Sequence, residues 1–226
     1  MKRLTPGIGA FLMSSEEHQN QVEKILSTAP VVPVMVIEDL TKAVPLARTL
    51  VAGGLPVLEI TLRTASALDC IRAIVAEVEG AIIGAGTVIT PTQMETVERI
   101  GCAFAVSPGS SPRLLAAAQQ SRIPLLPGAV TATEVMSLLE AGYRFQKFFP
   151  AESSGGTTAL SALSSPLPQV QFCPTGGITP ERLPAYRRLS NVITVGGSWM
   201  APKALVAKGD WAAITDLSRE ASALKF

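Results

Sequence analysis

The chain has 226 residues, 47% of them hydrophobic and only 16% charged, with a net charge of +1 at neutral pH. That balance argues against nucleic acid or an anionic membrane as the main partner, and no apolar run reaches the ~18 residues of a membrane span. Three widely spaced cysteines, Cys70, Cys102 and Cys173, and a single histidine, His18, exclude a disulfide framework, a histidine-rich metal site and a Ser-His-Asp triad.

An odd number of unpaired thiols suits a reducing, cytoplasmic location. Any chemistry must then use lysine, carboxylate, hydroxyl or backbone groups, without a metal or other cofactor. The opening MKRLTPGIGAFLMSS is basic, then briefly apolar, and is broken by Pro6 and Gly7. It reads as a loosely packed or disordered extension (residues 1–14) rather than a signal peptide. The remainder, 15–226, reads as one domain.

Residues 15–28 predict a first helix, capped by Ser14 or Ser15, with Val22, Ile25 and Leu26 at helical spacing. His18 falls on what reads as its polar, exposed face. VVPVMVI (31–37) is a buried strand of the parallel type, and a helix over 40–52 ends at Gly53-Gly54. The alternation then repeats: strands over 55–63, 81–88, 104–109, 123–130, 143–151, 170–178 and 191–199, with helices over 65–78, 91–100, 111–121, 131–141, 156–164, 180–189 and 210–224. Eight strands, each followed by a helical segment, predict an α/β chain folded as a single (β/α)8 TIM barrel with an N-terminal helix. An open doubly wound sheet is the weaker alternative, because no G-x-G-x-x-G follows the first strand.

Barrel sites lie at the C-terminal ends of the strands. In the sixth strand, RFQKFFPA (144–151), period-two alternation puts Phe145, Lys147 and Phe149 on one face. Desolvation favours the neutral form of an amine, and a neutral amine can form a Schiff base with a carbonyl; the alternative is an edge-strand lysine facing water. In the second strand Val57, Glu59, Thr61 and Arg63 face the axis. Glu59 and Arg63 are either a structural ion pair or groups in use. The third strand puts Ile83, Ala85 and Thr87 on one face, with Thr87 at the top. The fourth ends at Ser107-Pro108-Gly109, where simple turn chemistry also accounts for the residues. Gly176-Gly177 and Gly196-Gly197 close the last two strands. Each is a turn or a backbone cradle for phosphate, and barrels commonly bind phosphate over strands seven and eight.

Taken together, these groups describe a metal-independent aldolase for a phosphorylated 2-oxo acid. A lysine imine would accept electrons as a C–C bond breaks, Glu59 would move protons, Arg63 would fork onto a carboxylate, and Thr87 would add a hydrogen bond. Two other readings stay open: a phosphosugar epimerase or isomerase on the same barrel, and a phosphosugar-binding barrel without catalysis.

The motifs EITLRT (59–64), GAGTV (84–88), VSPG (106–109), LPG (126–128), KFFPAE (147–152), FCPTGGI (172–178) and VGGSW (195–199) resemble, in order and at barrel spacing, the 2-keto-3-deoxy-6-phosphogluconate (KDPG) aldolase and 4-hydroxy-2-oxoglutarate aldolase family. The resemblance implies a trimeric class I aldolase of the Entner–Doudoroff pathway, needing no cofactor. It implies Lys147 as the Schiff-base lysine and Glu59 as the general acid/base. Arg63 and Thr87 would hold the pyruvoyl carboxylate, with Pro108 and Phe149 shaping that pocket, and Gly176, Gly177, Gly197 and Ser198 would hold the phosphate. The loop AESSGG (151–156) departs from the bulkier, more polar run typical of the family. Stereochemistry at C4 is left open, so the galactonate-derived epimer is the alternative substrate.

Overall fold

The computed structural model describes residues 13–224. The proposed extension therefore lies, as far as residue 12, outside the described residues. The strands are β1 (Val31–Met35), β2 (Val57–Thr61), β3 (Ile82–Gly86), β4 (Phe104–Val106), β5 (Leu125–Leu126), β6 (Gly128–Ala129), β7 (Phe145–Phe148), β8 (Gln171–Pro174) and β9 (Val195–Gly197). All pair in parallel, in the orders β5-β4-β3-β2-β1-β9 and β6-β7-β8. β5 and β6 are one stave interrupted at Pro127, which has no N–H for the ladder. Bridges Phe172–Val192 and Thr175–Gly196 join β8 to β9. The ring closes into an eight-staved (β/α)8 barrel.

The helices are α1 (Ser15–Leu26), α2 (Leu40–Ala52), α3 (Ala67–Glu77), α4 (Pro91–Arg99), α5 (Pro112–Gln119), α6 (Ala132–Glu140), α7 (Gly156–Ser164), α8 (Leu183–Tyr186), α9 (Lys203–Lys208) and α10 (Trp211–Ser222). Several start at caps visible in the sequence. Ser14 with Glu17, Thr90 with Gln93 and Thr131 with Glu134 form capping boxes, each worth about 1 kcal/mol at its N-cap.

Alternation along the strands divides the core in two. Val31, Leu58, Ile60, Ala105 and Phe148 point outward and pack with the helices, while Val32, Val57, Phe104, Val106, Leu126, Phe145 and Cys173 fill the barrel interior. α1 closes the N-terminal mouth. Its Val22, Ile25 and Leu26 join the interior cluster, and Gln19 Oε1 accepts hydrogen bonds from the backbone N–H groups of Arg144 (2.7 Å) and Phe145 (3.1 Å) at the foot of β7.

Contrary to its polar sequence neighbourhood, His18 does not lie on an exposed face. His18 is buried at 7% exposure, because it stands four residues before Val22 and seven before Ile25, on the face α1 turns to the barrel. Burial lowers its pKa, opposed by the neighbouring Ser121 backbone.

Several elements are shorter than the sequence expectation, with β4 ending at Val106, β7 at Phe148 and β8 at Pro174. α8 begins at Leu183 rather than near residue 180, since Pro184 belongs in a first turn. β9 forms a continuous ladder only over Val195–Gly197, with an isolated bridge at Val192 before it, and Thr194 between them donates its hydroxyl to the Ala29 carbonyl (2.9 Å). α9 was not anticipated; it is a short turn of helix between Pro202 and Gly209.

Candidate active site

A cavity of about 300 Å³ opens at the C-terminal ends of the strands. β2 supplies Glu59 and Thr61, and Arg63 follows two residues beyond its end. β7 supplies Lys147, with Phe149 just past its end. The loops after β3, β4, β8 and β9 bring Thr87, Pro108, Gly176, Gly177 and Ser198, together with Gly197 at the end of β9. Every candidate residue named from the sequence lines this one cavity.

Lys147 is not on an edge: β7 runs between β6 and β8. Its Nζ donates to Glu59 Oε1 at 3.0 Å and Oε2 at 3.4 Å, with the two side chains only 6% and 5% exposed. The Phe149 ring centroid lies 5.3 Å from the same nitrogen. Removing one member of a buried pair leaves a lone charge, which costs about 3–5 kcal/mol. Glu59 has room because position 86 is glycine: a Cβ there would collide with the Glu59 carboxylate. Cys173, in register with Lys147 on β8, has its thiol pushed up to about 12 by burial. It stays protonated near neutral pH and does not compete as a nucleophile.

The structural Glu59–Arg63 ion pair is ruled out, since Glu59 faces Lys147. Arg63 instead donates from Nε to Thr61 Oγ1 (3.1 Å), and Thr61 donates to the Met35 carbonyl (3.0 Å). Tied at Nε, the exposed guanidinium keeps its terminal nitrogens for a ligand. With two cationic side chains and one anionic side chain, the cavity suits an anion.

Thr87 reaches the cavity by a route that alternation misses. Ile83 and Ala85 pack outward with the helices, and an extended strand would send Thr87 after them. Its backbone instead turns left-handed, at φ 59°. That conformation costs a non-glycine residue about 1–3 kcal/mol, and it brings the side chain to the cavity wall.

Val34, Thr61, Thr175, Ile178 and Gly196 also line the cavity without having been singled out as ligand contacts. Thr175 was legible: it follows Cys173 by two and so shares the inward face of β8. Among the described residues, no three His, Cys, Asp or Glu side chains gather as metal ligands.

A parallel barrel with a buried lysine–carboxylate pair at the C-terminal ends of its strands carries the equipment of an enzyme that forms Schiff bases with keto acids. A family model described as KDPG and KHG aldolase matches residues 22–217. The KHG/KDPG aldolase of Escherichia coli K12 is 50% identical over 203 residues, covering 90% of this chain and 95% of that one. A KDPG aldolase from Legionella pneumophila, solved with pyruvate captured as a covalent carbinolamine, superposes with TM-score 0.87 at 45% identity, covering 88% of this chain and 97% of the other. The 2-keto-3-deoxy-6-phosphogluconate aldolase of Zymomonas mobilis ZM4, solved with 3-phosphoglycerate, gives TM-score 0.85 at 47% identity, covering 92% and 97%. This chain belongs to the KDPG and KHG aldolase family.

Proposed function

We propose that this chain cleaves 2-dehydro-3-deoxy-6-phosphogluconate to pyruvate and D-glyceraldehyde 3-phosphate through a Schiff base on Lys147. The observation that carries the reading is the Lys147 Nζ–Glu59 Oε1 contact of 3.0 Å, buried at the head of the barrel. Passing one proton to Glu59 leaves an amine that adds to the C2 carbonyl. Glu59 returns the proton as the carbinolamine loses water, giving the iminium. Glu59 then takes the proton of the C4 hydroxyl, the C3–C4 bond breaks, and its electron pair flows into the iminium as an enamine. The aldehyde leaves, Glu59 protonates C3, and water releases pyruvate from Lys147.

In this reading Arg63 and Thr87 hold the carboxylate, Pro108 and Phe149 shape the pocket around the pyruvoyl group, and Gly176, Gly177, Gly197 and Ser198 receive the phosphate. The two aldolases solved with pyruvate and with 3-phosphoglycerate carry ligands that match the two ends of this arrangement. 4-Hydroxy-2-oxoglutarate, which lacks the phosphate, is a second substrate. A homotrimer in the cytoplasm belongs to the same proposal and rests on the family resemblance; no described helix is long and apolar enough to cross a membrane.

Incubation with pyruvate and borohydride tests the reading. A reduced pyruvoyl adduct on Lys147, with loss of activity, is the expected result. Absence of the adduct, or full activity in Lys147→Ala, would favour the epimerase or binding-barrel alternatives. A coupled assay with both C4 epimers then separates the gluconate- from the galactonate-derived substrate.

A further inference from the structure

Behind the Gly176–Gly177 turn, outside the cavity lining, lies a connected polar cluster. Tyr186 on α8 donates its hydroxyl to Glu152 Oε1 at 2.5 Å. Arg182 Nη1 lies 3.1 Å from Glu152 Oε2 and donates to the Gly177 carbonyl at 2.8 Å. The Glu152 backbone N–H donates to the Gly176 carbonyl at 3.1 Å. Both glycine carbonyls are thus held by groups that do not line the cavity. The contact is close: a Cβ on Gly177 would stand 2.8 Å from Glu152 Cγ.

The turn needs such support. Gly176 and Gly177 sit at φ 106° and 78°, and two successive glycines have many other conformations to escape to. A turn that presents backbone N–H groups to an anion loses affinity if it must be ordered at each binding event. The anchor of the cluster is Tyr186, whose ring is only 1% exposed in the outer core. Burial, and then the neighbouring Glu152, raise its pKa, so it remains a donor across the working range. Arg182 neutralises Glu152, which would otherwise face a dianionic ligand as a like charge.

We propose that Tyr186, Glu152 and Arg182 form a brace that fixes the Gly176–Gly177 turn, and so are positioning residues for phosphorylated over unphosphorylated substrates. This rests on the reading of that turn as the phosphate site.

The test compares wild type with Tyr186→Phe and Arg182→Ala, the second at a half-exposed side chain (54%) where the fold tolerates truncation. KM and kcat are measured for the phosphorylated substrate and for 4-hydroxy-2-oxoglutarate. Inorganic phosphate is then titrated as an inhibitor of 4-hydroxy-2-oxoglutarate cleavage. Both variants are expected to raise KM for the phosphorylated substrate and the phosphate inhibition constant about tenfold, leaving kcat and the 4-hydroxy-2-oxoglutarate parameters unchanged. Equal losses on both substrates would reduce the cluster to a general structural role and overturn the proposal. If phosphate inhibits wild type and both variants alike, the brace falls while the phosphate reading stands. If phosphate does not inhibit wild type, the phosphate reading falls and takes the brace with it.

Discussion

Glu59 works in a space that one missing atom creates. Gly86 has an ordinary backbone conformation that alanine also adopts, so Gly86→Ala isolates the collision with the Glu59 carboxylate. In the proposed mechanism Glu59 moves the protons, and displacing such a group by ~1 Å costs on the order of 10² in rate. The variant is expected to lose kcat by about that factor and to melt at a lower temperature, since overpacking a buried site costs about 1–3 kcal/mol, read by steady-state kinetics and calorimetry. Thr61 sets the aim of Arg63 in a comparable way. Thr61→Val keeps the shape but removes the acceptor for Arg63 Nε and the donor to the Met35 carbonyl. KM for the 2-oxo acid is expected to rise about tenfold with kcat nearly intact, at a cost of about 1–2 kcal/mol in urea unfolding. At this scale the sequence was readable wherever period two held, as for Lys147 against Phe148 or Glu59 against Leu58. At Thr87 the position was legible but the backbone route was not, because nothing in GAGTV announces a left-handed threonine.

Among the elements, α1 shows what local pattern misses. Its sequence, SEEHQNQVEKIL, is mostly polar, and a histidine among Glu16, Glu17 and Gln19 looks solvated. Only the barrel mouth beneath the helix decides that His18 is inside, and no local window contains that mouth. A pH dependence follows. Burial lowers the folded-state pKa of His18, against the opposing pull of Glu17 and Glu98, so below about pH 6.5 the unfolded chain takes up a proton that the folded chain resists. The contribution is favourable above that pH and lost as pH falls through it. Chemical denaturation between about pH 7.5 and 5.5 should show a steeper decline in wild type than in His18→Gln. Pro127 interrupts the fifth stave, and several strands stop short of their expected ends, since period and composition locate a strand but not how far its ladder of hydrogen bonds continues.

For the whole molecule, eight βα repeats made the barrel legible before any coordinates, because parallel strands buried on both faces read as apolar runs. What the repeats leave silent is that the two ends of the barrel are unlike. With α1 seated in one mouth, the structure is a cup with its lysine near the base and its glycine turns at the lip. On the proposed mechanism the pyruvoyl fragment stays bonded to the Lys147 amine after cleavage, while no covalent bond holds the aldehyde fragment at the open end. The aldehyde therefore departs first and pyruvate, freed only by hydrolysis of the imine, departs second. Pyruvate, the final product to leave, should inhibit competitively against the sugar acid, whereas glyceraldehyde 3-phosphate should inhibit non-competitively. Initial-rate patterns with each added product would reveal the order, and a reversed pattern would mean the cup has a second opening.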